Sequence, residues 1–295
     1  MASLNELNEL LLHNAENGYL EGVKHCLMRG ARPDFAANGW TAWHLSCLNS
    51  HLDIMSFIVK AVGFDVNYRD GDGATALHNA CFYGQKEVVE YLVLDAGAKV
   101  DLRDGNGATA LHLAVQKENM SIIRFLVEES GCDVERENFS GETVLQYAVA
   151  LGLLQVTRYL LDLGGSTSTC RNNHGQGLVH TACREGRQHI LEYLTEQTAC
   201  SVHSKDFEGR TPLHLAASQN KLEACQFLVE RKAAGLNVKD TYGMTCIQAA
   251  QRGPEQSNSK VALFLEAQDR KRVWNLLQHL VGTNWFEHQQ TVKTT

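Results

Sequence analysis

Basic residues are in deficit in this chain: 27 Lys and Arg face 34 Asp and Glu, for a net charge of −7. A general nucleic-acid binder needs a dense cationic surface, so that class is set aside and no nucleic-acid partner is expected. The cysteines are odd in number. All nine are scattered and mostly sit in apolar settings, which argues against a disulfide scaffold and suits a reducing compartment. The start, Met1-Ala2-Ser3-Leu4-Asn5-Glu6, has no basic leader and no uninterrupted apolar core, so it does not read as a signal peptide. No apolar run approaches the roughly 20 residues a membrane helix requires, and no membrane insertion is expected. A soluble, cytoplasmic protein is the expectation, with the nucleus admitted as a second site. With 295 residues, 44% hydrophobic and 21% charged, the chain suits one large or two ordinary globular domains.

What is present is repetition. Glycines stand at 39, 73, 107, 141, 175, 209 and 243, each 34 residues from the last. Two residues on come Thr41, Thr75, Thr109, Thr143, Gly177, Thr211 and Thr245; five on come His44, His78, His112, Gln146, His180, His214 and Gln248. A threonine there can cap a helix, and an Asx residue three before every glycine but the first, such as Asp70 or Asp206, can start a turn. In the second half of the unit, Ile54, Val88, Ile122, Val156 and Ile190 are each followed four residues later by Ile or Leu, one face of a helix. An aromatic column runs Phe57, Tyr91, Phe125, Tyr159, Tyr193 and Phe227, and its expected place is the core between helices. The unit is therefore turn, short helix, tight turn, second helix, extended return.

Gly209-Arg210-Thr211-Pro212-Leu213-His214-Leu215-Ala216-Ala217, this helix-pair spacing and tails such as Gly97-Ala98-Lys99-Val100-Asp101 resemble the ankyrin repeat. The resemblance covers nearly the whole chain and implies an all-α solenoid of helix-turn-helix units with short extended turn tips. It implies that the repeated histidine hydrogen-bonds within and between repeats. Two departures stand out. The period is one residue longer than the usual 33, with the extra residue expected near the end of the second helix, and only one copy keeps the proline, Pro212. The chain divides into a degenerate N-terminal capping repeat (1–38), repeats over 39–265, a C-terminal capping helix (266–282) and a flexible tail (283–295). The last repeat carries a small polar insertion at 253–259, and Val273, Leu276, Leu277, Leu280 and Val281 supply the apolar stripe of the capping helix.

Chemistry that could be mistaken for a catalytic site has a structural reading in each case. Gly71-Asp72-Gly73 and Gly105-Asn106-Gly107 lack the third glycine and preceding strand of a phosphate loop. The His-x-x-Cys pairs 44/47, 78/81 and 180/183 fall on the repeat's own histidine and small-residue slots. Arg270-Lys271-Arg272 reads as a solvated helix flank rather than a targeting signal. No catalytic residue, metal or cofactor is expected.

The resemblance also implies that partners bind the concave side, built from turn tips and first helices. Mapped through the 34-residue register, the candidate partner-binding residues are Trp40, Phe82, Tyr83, Lys117, Phe139, Leu151, Arg184, Phe207, Arg210 and Tyr242. Large aromatics and arginines carry a disproportionate share of interface energy. His174, Arg184, Arg187 and Arg210 make the later repeats more basic, suiting a partner with an acidic end there. The expectation is a monomeric, non-enzymatic scaffold or adaptor for one or more proteins, the alternative being the targeting or regulatory subunit of a larger enzyme complex.

Overall fold

Each of the expected helix starts is made by a hydrogen-bonded threonine–histidine pair or a close variant of it. In the computed structural model, which describes residues 3–163, 170–253 and 260–292 (side chains as far as Gln278), the chain forms two compact units, 1–173 and 174–295. Of the expected insertion only Gly253 falls within the described residues, and positions 293–295 of the expected tail lie outside them.

In the first unit the helices come in pairs: α1 (Leu4–Glu16) with α2 (Leu20–Met28), α3 (Ala42–Leu48) with α4 (Leu52–Val62), and α5 (Ala76–Tyr83) with α6 (Lys86–Glu90). They continue as α7 (Ala110–Gln116) with α8 (Met120–Glu128) and α9 (Val144–Leu151) with α10 (Leu154–Asp162). The second unit holds α11 (Leu178–Glu185) with α12 (Gln188–Gln197), α13 (Pro212–Ser218) with α14 (Leu222–Gln226), α15 (Cys246–Gln251) and α16 (Lys260–Val292). Within each unit the first helices stack on one another, α1 to α3, α5, α7 and α9, and α11 to α13 to α15. Both units are thus built as an all-α repeat solenoid. The one described two-stranded ladder pairs Ala36–Ala37 with Trp40–Thr41 at a turn tip.

The local chemistry repeats with the sequence. Thr75, in extended backbone geometry, directs both its N–H and its hydroxyl to His78 Nδ1, at 3.2 and 2.9 Å. Nδ1 therefore accepts, and Nε2 carries the proton, which it offers to the carbonyls of Leu102 (3.0 Å) and Ala108 (3.1 Å) in the next repeat. His112 reaches Glu142 O, and His214 reaches Met244 O, in the same way. One side chain thus caps its own helix and fastens the following turn, as the resemblance implied. Gly177 lacks the hydroxyl, so only its N–H reaches His180 Nδ1, at 3.4 Å. Its backbone, φ −88° and ψ −178°, already suits threonine. Gly177→Thr is expected to raise stability by about 0.5–1 kcal/mol, read as a higher urea midpoint at unchanged slope.

In two of the repeats the second helix ends in a wider turn. After α6 and α14 the chain makes one π-helical turn, Tyr91–Asp95 and Phe227–Arg231. A wider turn absorbs one residue without breaking the helix.

Two expectations are corrected. Of the aromatic column only Phe125 and Phe227 are buried; Phe57, Tyr91, Tyr159 and Tyr193 are half-buried. They lie at the outer edge of the second helices, where ring faces meet cations: Arg124 stacks 4.7 Å over Tyr159, whose hydroxyl donates to Glu128 Oε1. At the C-terminus one helix, α16, runs through both the expected capping helix and tail positions 283–292. It packs against α14 and α15 through its first turns, where Val261 and Leu265 are buried, but Val273, Leu276 and Leu277 are exposed and cap nothing. Nothing after Pro254 can stop a helix by lacking its N–H, and a lone glycine, Gly282, is a weak breaker.

Candidate partner-binding surface

The turn tips are tied directly to each other. In the first unit Gly105 N–H donates to Asp72 O (2.9 Å), Phe139 N–H to Asn106 O (3.4 Å) and Asn173 N–H to Ser140 O (3.1 Å). In the second, Phe207 N–H donates to His174 O (3.1 Å) and Thr241 N–H to Glu208 O (2.9 Å). Each tip is held a second time by its Asx residue, as Asp104 Oδ1 accepts from the N–H groups of Asn106 and Ala108. Side chains on these tips are therefore presented from a fixed frame. This ladder has no residue-type signature, because it runs through backbone.

In the first unit the register brings three candidates together. Phe82 and Tyr83, at the end of α5, meet edge to face with ring centroids 5.2 Å apart, and Lys117, just past α7, puts its ammonium 3.9 Å over the Phe82 ring. Phe82 is half-buried by this contact while Tyr83 stays 52% exposed. The pair and the cation stiffen one another by about 0.5–1.5 kcal/mol per contact. Phe139 lies across Gly107 and remains exposed. Trp40 and Leu151 are only half-exposed, and the Trp40 ring stands edge-on to His44.

In the second unit Phe207 and Tyr242 are each 72% exposed, and Phe207 lies across Gly175 as Phe139 does across its own glycine. Tyr242 borders an open groove of about 470 Å³ whose lining includes Arg210, Ser218, Gln219, Met244 and Arg252. Every one of those positions is a variable one in the repeat register. His214, Asp240 and Gly253 also line the groove; as fixed-slot or loop residues they carried no sequence signal for it.

The arginines do not behave as the basic patch anticipated from sequence. Arg210 gives Nε to Asp206 Oδ2 (2.9 Å) and Nη1 to Glu208 Oε2 (3.0 Å), and Arg184 gives Nε to Glu185 Oε1 (2.9 Å) and Nη1 to Gln176 Oε1 (2.8 Å). Their charges are matched within the same repeat, so an acidic partner end is not favoured at these two residues.

Titration follows burial. Desolvation lowers the pKa of His44, His78, His112 and His214, and takes His112 from 6.5 to about 4. Desolvation likewise raises the buried thiols of Cys47, Cys81, Cys183 and Cys225. In the His-x-x-Cys pairs 44/47 and 78/81 the imidazole nitrogens are committed to the cap and the neighbouring carbonyl, and the thiol is protonated in the core. Among the described residues no group of three or more His, Cys, Asp or Glu is placed to hold a metal, and no helix is long and apolar enough to cross a membrane.

Comparison with known proteins places this geometry. A family model for ankyrin repeats (3 copies) matches residues 11–104, 93–171 and 164–242. A search of curated proteins gave no match.

Proposed function

This chain belongs to the ankyrin-repeat family, whose repeats are in general protein–protein interaction modules, and from that premise we propose that it is a non-enzymatic adaptor that binds a protein through its turn tips and first helices, the concave side of such arrays. The observation that carries this is the Phe82–Tyr83–Lys117 cluster. An exposed tyrosine locked against a second ring, with a lysine stacked behind it, loses little freedom on binding, which is what an interface anchor requires. The groove under Tyr242 supplies a second contact region in the other unit. Against catalysis stands the use of the displaced titratable groups: the depressed histidines are fasteners between repeats and the raised cysteines are core.

Phe82→Ala combined with Tyr83→Ala is expected to cut partner binding by about thirtyfold or more while helical circular dichroism stays near that of the unaltered chain. Quantitative affinity purification, comparing the two chains, reads this as the loss of specific enriched proteins. Binding unchanged in a folded double variant would remove the anchor reading; loss of helicity would make the two rings core, and Tyr83→Ala alone would then decide, since its ring is mostly outside.

A further inference from the structure

The aspartate that starts a turn has two carboxylate oxygens, and they serve different groups. Oδ1 holds the tip: Asp206 Oδ1 accepts from the N–H groups of Glu208 and Arg210, and Asp240 Oδ1 from those of Tyr242 and Met244, at 2.8–3.0 Å. Oδ2 is left for a side chain. In the first unit Asn79, six residues past its glycine, donates Nδ2 to Asp70 Oδ2 at 3.0 Å. In the second unit Arg210, one residue past its glycine, donates Nε to Asp206 Oδ2 at 2.9 Å. The following repeat has Met244 and Ala249 at those two positions, and neither side chain has a donor. Asp240 Oδ2 accordingly receives no hydrogen bond from any described residue, although Asp240 is only 8% exposed. Asp104, with Ala108 and Leu113 at the same positions, also lacks such a donor, but it is only half-buried and water can serve it. Buried carboxylate oxygens are normally hydrogen-bonded, so Asp240 Oδ2 is placed for a donor from outside the chain.

That oxygen lies on the side of Met244 and Ala249, which together with Asp240 line the open groove of about 470 Å³ bordered by the exposed Tyr242 ring. Charge selects the occupant. At or beside the groove three carboxylates, Asp206, Glu208 and Asp240, stand against two guanidiniums. Arg210 is committed to Asp206 and Glu208, while Arg252 rests Nη1 on Met244 Sδ at 2.9 Å and has no carboxylate partner among the described residues. His214 gives its Nε2 proton to Met244 O. The region is short of one cation, so it suits a single positive side chain and, facing Arg252, disfavours a run of them. The preceding repeat shows the shape of that cation: Arg210 meets Asp206 Oδ2 through Nε while Nη1 reaches Glu208 Oε2 at 3.0 Å. A planar fork can meet Asp240 Oδ2 in the same way and lie against the Tyr242 ring, which a compact, strongly hydrated ammonium does less well.

We propose that the groove beside Tyr242 is an arginine-binding site, in which one arginine side chain of a partner protein donates to Asp240 Oδ2 as Arg210 donates to Asp206 within the chain. This rests on the adaptor reading above and gives its second contact region a ligand.

The test needs no cellular partner. The probes are the peptide acetyl-Gly-Gly-Arg-Gly-Gly-amide and its lysine, citrulline and glutamate counterparts, titrated into the isotope-labelled full chain while the amide signals of Tyr242 and Met244 are followed by NMR. The arginine peptide is expected to saturate at about millimolar concentration, with lysine about threefold weaker and citrulline, which keeps the shape without the charge, about tenfold weaker or more. Asp240→Asn keeps an Oδ1 for the turn, as Asn138 Oδ1 accepts from the N–H groups of Ser140 and Glu142, and it is expected to weaken arginine binding about tenfold or more. Met244→Arg rebuilds the internal donor of the preceding repeat and should weaken it equally. Thermal unfolding checks that both variants are folded; should Asp240→Asn not be, Met244→Arg decides alone. No saturable shift, an equal response to arginine and citrulline, or binding unmoved in Met244→Arg overturns the proposal. So does tighter binding of the glutamate peptide, which would assign the groove to Arg252 and an acidic partner. Phe82→Ala with Tyr83→Ala lies in the other unit and should leave peptide binding intact, so the two readings fail separately. Cellular proteins captured equally by the Met244→Arg chain and the unaltered chain would leave the adaptor standing and remove the arginine site.

Discussion

Taking the protein from pH 7 to about 4.5 is expected to cost about 2–3 kcal/mol of stability through His112 alone, and His112→Gln to remove that part of the loss. The imidazole is fully buried, and its pKa falls from 6.5 to about 4 chiefly because burial strips water from the charged form; Glu142 O and Asp104 partly offset this, while Arg103 and His78 add to it. The sign follows from linkage. A histidine whose folded pKa is depressed binds protons more readily unfolded, so its contribution is whole above about 6.5 and is lost as pH falls toward about 4. His44, His78 and His214 are displaced in the same direction, so the array as a whole should soften over this window. Asp and Glu protonation also begins there, which is why the variant matters: the difference between the unaltered chain and the His112→Gln chain isolates one ring. Glutamine is the right replacement because the protein uses it. In the last repeat Gln248 Oε1 accepts the Thr245 N–H at 2.9 Å, reproducing the cap without a titratable group. Urea midpoints across pH for both chains check this. Parallel pH profiles would mean the ring is solvated in the folded state, and the fastening role of Nε2 would fall with it.

How much of this could be read from the sequence depends on whether side chains or backbone do the work. The threonine–histidine cap was legible because two side chains at fixed spacing make it. The arginines were misread. Arg210 looks like a free cation in sequence because Asp206 and Glu208 read as turn residues; only the folded tip brings both carboxylates onto one guanidinium. Position 273 onward was read as a cap because an apolar stripe on a terminal helix usually covers the last repeat. Which way a stripe faces is decided by the helix's docking turns, where Val261 and Leu265 are buried, and beyond them Val273, Leu276 and Leu277 stay exposed. The candidate residues on the tips and first helices follow the register into exposed or half-exposed places, yet their pairing, Lys117 over Phe82 above all, comes from rotamers that no periodicity encodes.

Two glycines with the same backbone angle separate conformational cost from contact. Gly97 has φ +76° and open space where a Cβ would go; Gly107 has φ +79°, and a Cβ there would come within 2.5 Å of both the Phe139 backbone nitrogen and its ring. Alanine in the left-handed region costs about 1–2 kcal/mol, partly offset by about 0.4–1 kcal/mol through a stiffer unfolded chain. Gly97→Ala should therefore lose about 1 kcal/mol. Gly107→Ala carries that same cost and must also push Phe139 away, breaking its N–H bond to Asn106 O in the tip-to-tip ladder, for about 3 kcal/mol in total. Repeat arrays need not unfold in one step, so urea midpoints should be joined by amide exchange in α7 and α9. The Gly107 variant is expected to speed exchange in both helices, the Gly97 variant in neither. Equal losses at the two sites would show that the ladder adds nothing beyond φ, and that the turn tips are passengers on the helix stack. A larger loss at Gly107, with faster exchange on both sides of the tip, makes the tips the rigid frame on which Phe139 and the other exposed rings are held ready for a partner.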